Sequence, residues 1–240
     1  EQLNVNQARF VQMVVTRSTY RTKERVRPPM ILTGPAGTGK TKTLLAAVLQ
    51  ILRGKNNNNN NPDHKQRPSR PPPGIPIHRD CSCALRNSRI LICTPSHTAC
   101  DVITQRLVDL LSKTGKNQKE IKAMVFRLYD TTRGVESVPI HILPFAQQGG
   151  DDGRFALPDT QELLGFSIIV CTCMDAHLLF LAGLTNASLR RRRDCLKLDT
   201  TCRLRESGLE LDGRIGGVDS PHFTHLFIDE AAQATEPETL

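Results

Sequence analysis

The chain has 240 residues, a formal net charge of +8, 38% hydrophobic and 4% aromatic content, and no Trp. This is enough for one large α/β domain or two small ones around an aliphatic core, with polar insertions outside it. Nothing resembles a signal peptide or an 18-residue apolar span, so neither secretion nor membrane insertion is supported. Charge is unevenly spread: residues 1–135 hold 23 Lys/Arg against 8 Asp/Glu, and residues 136–240 hold 9 against 16. A basic half suits a polyanionic partner, although basic loops and solvated faces give the same balance. The chain opens on Glu1 and stops inside a patterned segment, so we expect a fragment of something longer. Its eight Cys read as reduced thiols of an intracellular protein.

Asn4 or Asn6 can cap a first helix, on which Phe10, Val11, Val14 and Val15 recur at helical spacing. Gln7 stands at its start, where an amide can read an adenine edge with one donor and one acceptor or simply be exposed. Five basic residues lie between Arg17 and Arg27, and Pro28-Pro29 ends that loop. Met30-Ile31-Leu32 is a short apolar run that predicts a strand. A helix over about 40–52 follows, with Leu44, Leu45, Val48, Leu49 and Leu52 as its buried stripe and Gly54 as its stop. Residues 55–88 hold six consecutive Asn and a basic, Pro-rich tract, and predict a disordered insertion. His78, Cys81 and Cys83 lack a clear fourth ligand for zinc.

Arg89-Ile90-Leu91-Ile92-Cys93 reads as a buried parallel strand. Thr94-Pro95-Ser96-His97-Thr98 then turns into a helix with Ala99, Val102, Ile103, Leu107, Leu110 and Leu111 as its stripe. Val125-Phe126-Arg127-Leu128 and Phe166-Ser167-Ile168-Ile169-Val170-Cys171 are further strands. Between them, 129–165 reads as a loop or small insertion. A helix over about 175–184 follows the second of these strands. Residues 185–221 are polar, with Arg190 to Arg193 a solvated run or a backbone contact. Thr224-His225-Leu226-Phe227-Ile228 is a last apolar strand, ending in Asp229-Glu230.

Two stretches carry chemistry. Gly34-Pro35-Ala36-Gly37-Thr38-Gly39-Lys40-Thr41 is G-x-x-x-x-G-K-[ST], a phosphate-binding loop. Its glycines let backbone N–H groups approach phosphate oxygens, and the helix that follows points its positive end at the anion. Lys40 supplies a cation for the β- and γ-phosphates, and the Thr41 hydroxyl can ligate Mg²⁺. Asp229 at a strand end can hold the same Mg²⁺, and Glu230 can take a proton from the attacking water.

Leu3-Asn4-x-x-Gln7, GPAGTGKT, ILICTPSHTACD, IIVCTC and FIDEAAQATEPE occur in the order of superfamily 1 helicase motifs. The chain resembles the nucleotide-binding RecA-like domain of the nonsense-mediated-decay helicase group, most nearly its Armitage/Moloney-type and zinc-finger-bearing branch. The resemblance implies a P-loop NTPase fold, a parallel α/β sheet with helices on both faces. It implies ATP and Mg²⁺ as cofactors, with Gln7 at adenine, residues Gly34 to Thr41 at the phosphates, Thr41 and Asp229 at Mg²⁺, and Glu230 at the water. Gln233 matches a position that senses nucleotide state. Pro95, Ser96 and Thr172 match stretches that touch a single-strand backbone. His97 stands where many relatives have Asn, and the insertion after residue 54 departs from the group.

The implied activity is that of an ATP-dependent RNA helicase moving 5′ to 3′ on single-stranded RNA, with ribonucleoproteins as further partners; a cytoplasmic location is expected, with a nuclear one as the alternative. ATP in that architecture sits between two RecA-like domains. The second domain and its arginines are not in this chain, so it holds one wall of the site and is expected to be inactive alone. A DNA helicase of the same superfamily, a non-catalytic RNA-binding scaffold and a P-loop kinase are the rival readings.

Overall fold

The computed structural model describes residues 3–19, 29–57, 88–149, 153–189 and 223–233. The chain divides into two compact units, Glu1–Ser88 and Arg89–Leu240. Among the described residues, no helix is long and apolar enough to cross a membrane.

The first unit holds helix α1 (Val5–Thr19) and helix α2 (Lys40–Asn57), which pack on one another. Asn4 caps α1: its Oδ1 accepts from the Gln7 backbone N–H at 2.8 Å, while Gln7 Oε1 accepts from the Asn4 N–H at 2.9 Å. This reciprocal pair satisfies two of the orphan donors at the helix start. Val11 and Val14 are buried on α1, and Leu44, Leu45, Ala47, Val48, Ile51 and Leu52 on α2. Helix α2 runs through Gly54 to Asn57, so that glycine is not the expected stop. One glycine costs a helix only about 1 kcal/mol, and the buried stripe before it outweighs that. Residues 30–32 form no strand, and Ile31 is 78% exposed. Three residues between Pro29 and a Gly/Pro loop leave little backbone to pair. The proposed insertion beyond residue 57, with His78, Cys81 and Cys83, and the run Arg190 to Arg193 lie outside the described residues.

The second unit is built on four parallel strands: β1 (Ile90–Thr94), β2 (Val125–Arg127), β3 (Ile168–Thr172) and β4 (His225–Ile228), in the order β2-β3-β1-β4. Thr94 pairs with Thr172, and Cys93 with both Cys171 and Ile228. Period-two alternation divides the strands between two faces. Leu91, Cys93, Ile169, Cys171, Phe126 and Leu128 join a core with Leu163 and Leu179, from helices α5 (Thr160–Gly165) and α6 (Ala176–Leu181). The opposite face meets α3 (His97–Lys113), which buries Cys100, Ile103, Thr104, Leu107, Val108 and Leu111. Helices therefore cover both faces of a parallel sheet, the expected α/β architecture.

The stripe of α3 is rotated from the expected one: Val102 is 43% exposed, whereas Asp101 and Thr104 are buried. Reading apolarity alone passes over polar residues that find internal partners. Thr104 Oγ1 donates to the Cys100 carbonyl at 2.8 Å, and Asp101 binds the fully buried Arg127. A short helix α4 (Gln118–Met124), with a capping box from Asn117 and Glu120, leads into β2. Among the described residues of 129–165, Tyr129, Val138, Ile142 and Phe155 form a small buried cluster.

Arg127 is held at full burial by Asp101, 2.9 Å from its Nε, and by the Leu128 carbonyl. Burial works against its charge, but Cys100, Tyr129 and Asp101 keep its pKa above the ordinary value. Asp101→Ala should leave that charge uncompensated and destabilise the fold by roughly 3–5 kcal/mol, read from the urea midpoint. A loss within experimental error would show that the pair does not hold the unit together.

His225 on β4 is partly buried, which lowers its pKa to about 4. Its folded pKa lies below the unfolded value of about 6.5, so protonation favours the unfolded chain. Its contribution to stability is fully present above pH 6.5 and is lost as pH falls towards 4. The melting temperature should drop across that window, and His225→Gln should flatten part of the drop. An identical profile for the variant would remove His225 as a cause.

Candidate functional site

The phosphate loop leads directly into α2. Gly37 and Gly39 have φ of +76° and +85°, in the left-handed region that glycine enters without a Cβ clash. Lys40 folds back on the loop, its Nζ donating to the Gly34 carbonyl at 2.8 Å and the Pro35 carbonyl at 2.9 Å. Thr38 Oγ1 also donates to the Pro35 carbonyl, at 2.8 Å. Gln7 reaches across from α1, its Nε2 donating to the Thr38 carbonyl at 3.0 Å. A Cβ on Gly39 would stand 2.8 Å from that same Nε2. The structure thus brings Gln7 together with residues 34–41, and α2 opens where its first-turn N–H groups have no intrahelical acceptors. This loop fits a nucleotide polyphosphate.

Asp229 and Glu230 follow β4. The Asp229 N–H donates to the Cys93 carbonyl at 3.0 Å, which prolongs the β1–β4 pairing and fixes the carboxylate at the carboxyl end of the sheet. Asp229 is buried and Glu230 exposed. Glu230 has φ of +55°, a strained value for a side-chain-bearing residue and the only such value outside glycine among the described residues. Its N–H donates to Asp229 Oδ1 at 3.1 Å, and its carbonyl accepts from the exposed Gln233 at 2.8 Å.

The loop ends after β1, β2 and β3 line a cleft of about 470 Å³ containing Pro95, His97, Arg133, Thr172, Met174 and Asp175. Pro95 and Thr172 therefore share one surface feature. Ser96 lies outside its lining, and its Oγ caps α3 by accepting from the Ala99 N–H at 3.2 Å. Thr172 is buried, and its Oγ1 accepts from the Asp175 N–H at 2.9 Å. Asp130, Thr132, Arg133, Met174 and Asp175 were not among the expected site residues. Their signal was positional: in parallel α/β sheets, ligands meet the segments that follow strand carboxyl ends.

A parallel sheet with helices on both faces and a phosphate loop opening a helix define a P-loop NTPase-like α/β protein. A family model described as an AAA domain matches residues 2–147. The chain belongs to that family and, within it, to the superfamily 1 helicase group, of which it carries the first domain. RNA helicase Mov10l1 of Mus musculus is 30% identical over 212 residues, covering 88% of this chain and 11% of its own length. "Probable RNA helicase armi" of Drosophila melanogaster is 26% identical over 218 residues, 88% of this chain and 13% of its own. "Probable helicase with zinc finger domain" of Homo sapiens is 24% identical over 213 residues, 89% of this chain and 7% of its own. The chain thus spans only a small part of these curated relatives. No solved structure matches it significantly.

Gly39 combines a left-handed backbone with a close approach to the Gln7 amide. Gly39→Ala should cost about 1–2 kcal/mol from the left-handed backbone alone, and displace Gln7. A thermal melt and a titration with a fluorescent ATP analogue would both register it. Wild-type values in both would show that the loop does not depend on this conformation.

Proposed function

We propose that this chain is the ATP-binding half of an ATP-dependent RNA helicase, which hydrolyses ATP to move along single-stranded RNA and to unwind or remodel RNA and ribonucleoproteins. The reading is carried by the phosphate loop: two left-handed glycines open α2, with Lys40 on the loop carbonyls and Gln7 docked beside it. The chain's similarity to proteins named as RNA helicases supports RNA as the substrate.

In this reading, Lys40 exchanges its two loop carbonyls for β- and γ-phosphate oxygens, so its position barely changes while its partners do. Residues Gly34, Pro35, Ala36, Gly37, Thr38 and Gly39 wrap the phosphates with backbone N–H groups. Gln7 turns from the Thr38 carbonyl towards the adenine edge. Thr41 and Asp229 would be the residues to hold Mg²⁺, which would supply positive charge to the phosphates. Glu230 accepts a proton from the attacking water, and its strained backbone orients the carboxylate for that task. Gln233, tied to Glu230 through one turn, senses the nucleotide state. Pro95, Ser96 and Thr172 meet the strand backbone. A second RecA-like domain of the same protein supplies the arginines that complete the site, and the protein works in the cytoplasm.

Lys40→Ala in the full-length protein should sharply weaken binding of a fluorescent ATP analogue. Glu230→Gln should keep that binding but reduce phosphate release by at least about 10²-fold, since the amide cannot accept the proton. Hydrolysis by Glu230→Gln at the wild-type rate would overturn the assignment of the base. Equal ATP affinity for Lys40→Ala would overturn the phosphate loop.

A further inference from the structure

We propose that Asn186 and Thr224 are positioning residues for Asp229 and Glu230: they lock the register of β4 on β1, and so set where the two acids stand at the end of the sheet. The inference rests on the reading of Asp229 and Glu230 as acids of the hydrolytic site, and it names residues that reading did not contain.

Burial alone does not fix β4. A strand's register is strongly specified where a face is buried, because a slip then displaces the core set. β3 is buried throughout and β1 nearly so, whereas none of the four residues of β4 is buried. Leu226 is 58% exposed, and among the described strands β4 pairs only with β1.

The sequence also offers one alternative register. Moving β4 two residues along β1 keeps each side chain on its own face. It brings Phe223-Thr224-His225-Leu226 opposite Ile90 to Cys93, in place of His225-Leu226-Phe227-Ile228. The aromatic and β-branched residues of the new set suit a half-covered strand. Asp229 would then stand about 6.6 Å beyond its place. The opposite slip is barred, because it carries Asp229 and Glu230 into the sheet beside Ile92 and Cys93, where a carboxylate would lose its water.

Two pairs oppose the permitted slip. The Asn186 amide acts as a strand partner: its Nδ2 donates to the Phe223 carbonyl at 3.0 Å, and its Oδ1 accepts from the Phe223 N–H at 2.8 Å. Asn186 is itself held in a turn, where the Ser188 N–H donates to Thr185 Oγ1 at 3.1 Å and the Leu189 N–H donates to the Thr185 carbonyl at 3.0 Å. Leu184 and Leu189, on either side, are buried in the core on which Phe223 packs. One residue later, Thr224 closes the second pair. Its N–H donates to the Arg89 carbonyl at 2.9 Å, and its Oγ1 accepts from the Arg89 N–H at 3.0 Å. Both pairs exist only in this register. What they preserve at the far end of β4 is the bond from the Asp229 N–H to the Cys93 carbonyl.

The test reads the register with thiols in the full-length protein. Leu91→Cys and Leu226→Cys place cysteines at register partners, on the face that also carries Cys93. Neighbouring strands lie within disulfide reach. Cys171→Ala in every background removes the thiol whose Sγ lies 3.8 Å from Cys93 Sγ. Mild oxidation with diamide should bridge positions 91 and 226. With Asn186→Ala and Thr224→Val added, a several-fold larger share of the bridge from position 226 should form to Cys93, the product of the two-residue slip. Without the introduced cysteines, Asn186→Ala/Thr224→Val should lose phosphate release in step with that share. It should keep its affinity for a fluorescent ATP analogue in EDTA, a binding that falls to the phosphate loop. Asn186→Ala alone should show a smaller shift in the same direction, which keeps the test decisive if the double variant does not fold. A bridge confined to positions 91 and 226 in every background, or full phosphate release by the variants, would overturn the lock and leave the helicase reading intact. No phosphate release by the wild-type protein at saturating RNA would overturn the roles of Asp229 and Glu230, and the positioning roles with them.

Discussion

One buried charge organises the sheet-bearing unit. Arg127 sits at the end of β2 with none of its surface exposed, and its guanidinium reaches α3 through Asp101, β3 through the Val170 carbonyl and the start of α3 through His97. An unpaired guanidinium there would cost several kcal/mol, so its partners are confined to a narrow range of positions. Tyr129 shares the same carboxylate and packs 3.9 Å from the Arg127 Cζ. The segments after β1, β2 and β3 are thereby registered against one another, and these are the segments that wall the cleft.

The parallel sheet supplies the second constraint. Strands that all run one way deliver their following loops to a single edge, and in-register pairing sets those loops level with one another. Thr94 and Thr172 are register partners, and Asp229 continues the pairing of β4 with Cys93. In the proposed reading, the acids after β4 and the strand contacts after β1 and β3 would therefore draw on neighbouring positions of one edge. The phosphate loop in the other unit depends on different forces: left-handed glycines and a side-chain tether from Gln7.

The elements legible in sequence were those with a strong local cause. The phosphate loop is readable because each glycine and the lysine answer a separate steric or electrostatic need. The central strands β1 and β3 are readable as continuous apolar runs, because both of their faces are covered. Met30-Ile31-Leu32 shows the limit of that signal, since a strand also needs a partner for its backbone and here forms none. The stripe of α3 was misplaced because Asp101 and Thr104 are buried by virtue of partners distant in sequence or hidden in the helix backbone. Arg133 and Asp175 were missed for the same reason. Nothing in Thr-Thr-Arg-Gly or Met-Asp-Ala marks a site until folding brings the two segments to one cleft. Gln7 carried a local signal, as the start of a helix, but its contact with Thr38 is tertiary.

We propose that nucleotide hydrolysis and strand binding are coupled activities of the full-length protein. The most direct test is steady-state phosphate release by the full-length protein, titrated in parallel with single-stranded RNA and single-stranded DNA. Saturable stimulation by RNA, abolished in Lys40→Ala and stronger than with DNA, is the predicted result. A rate indifferent to either nucleic acid would contradict the account.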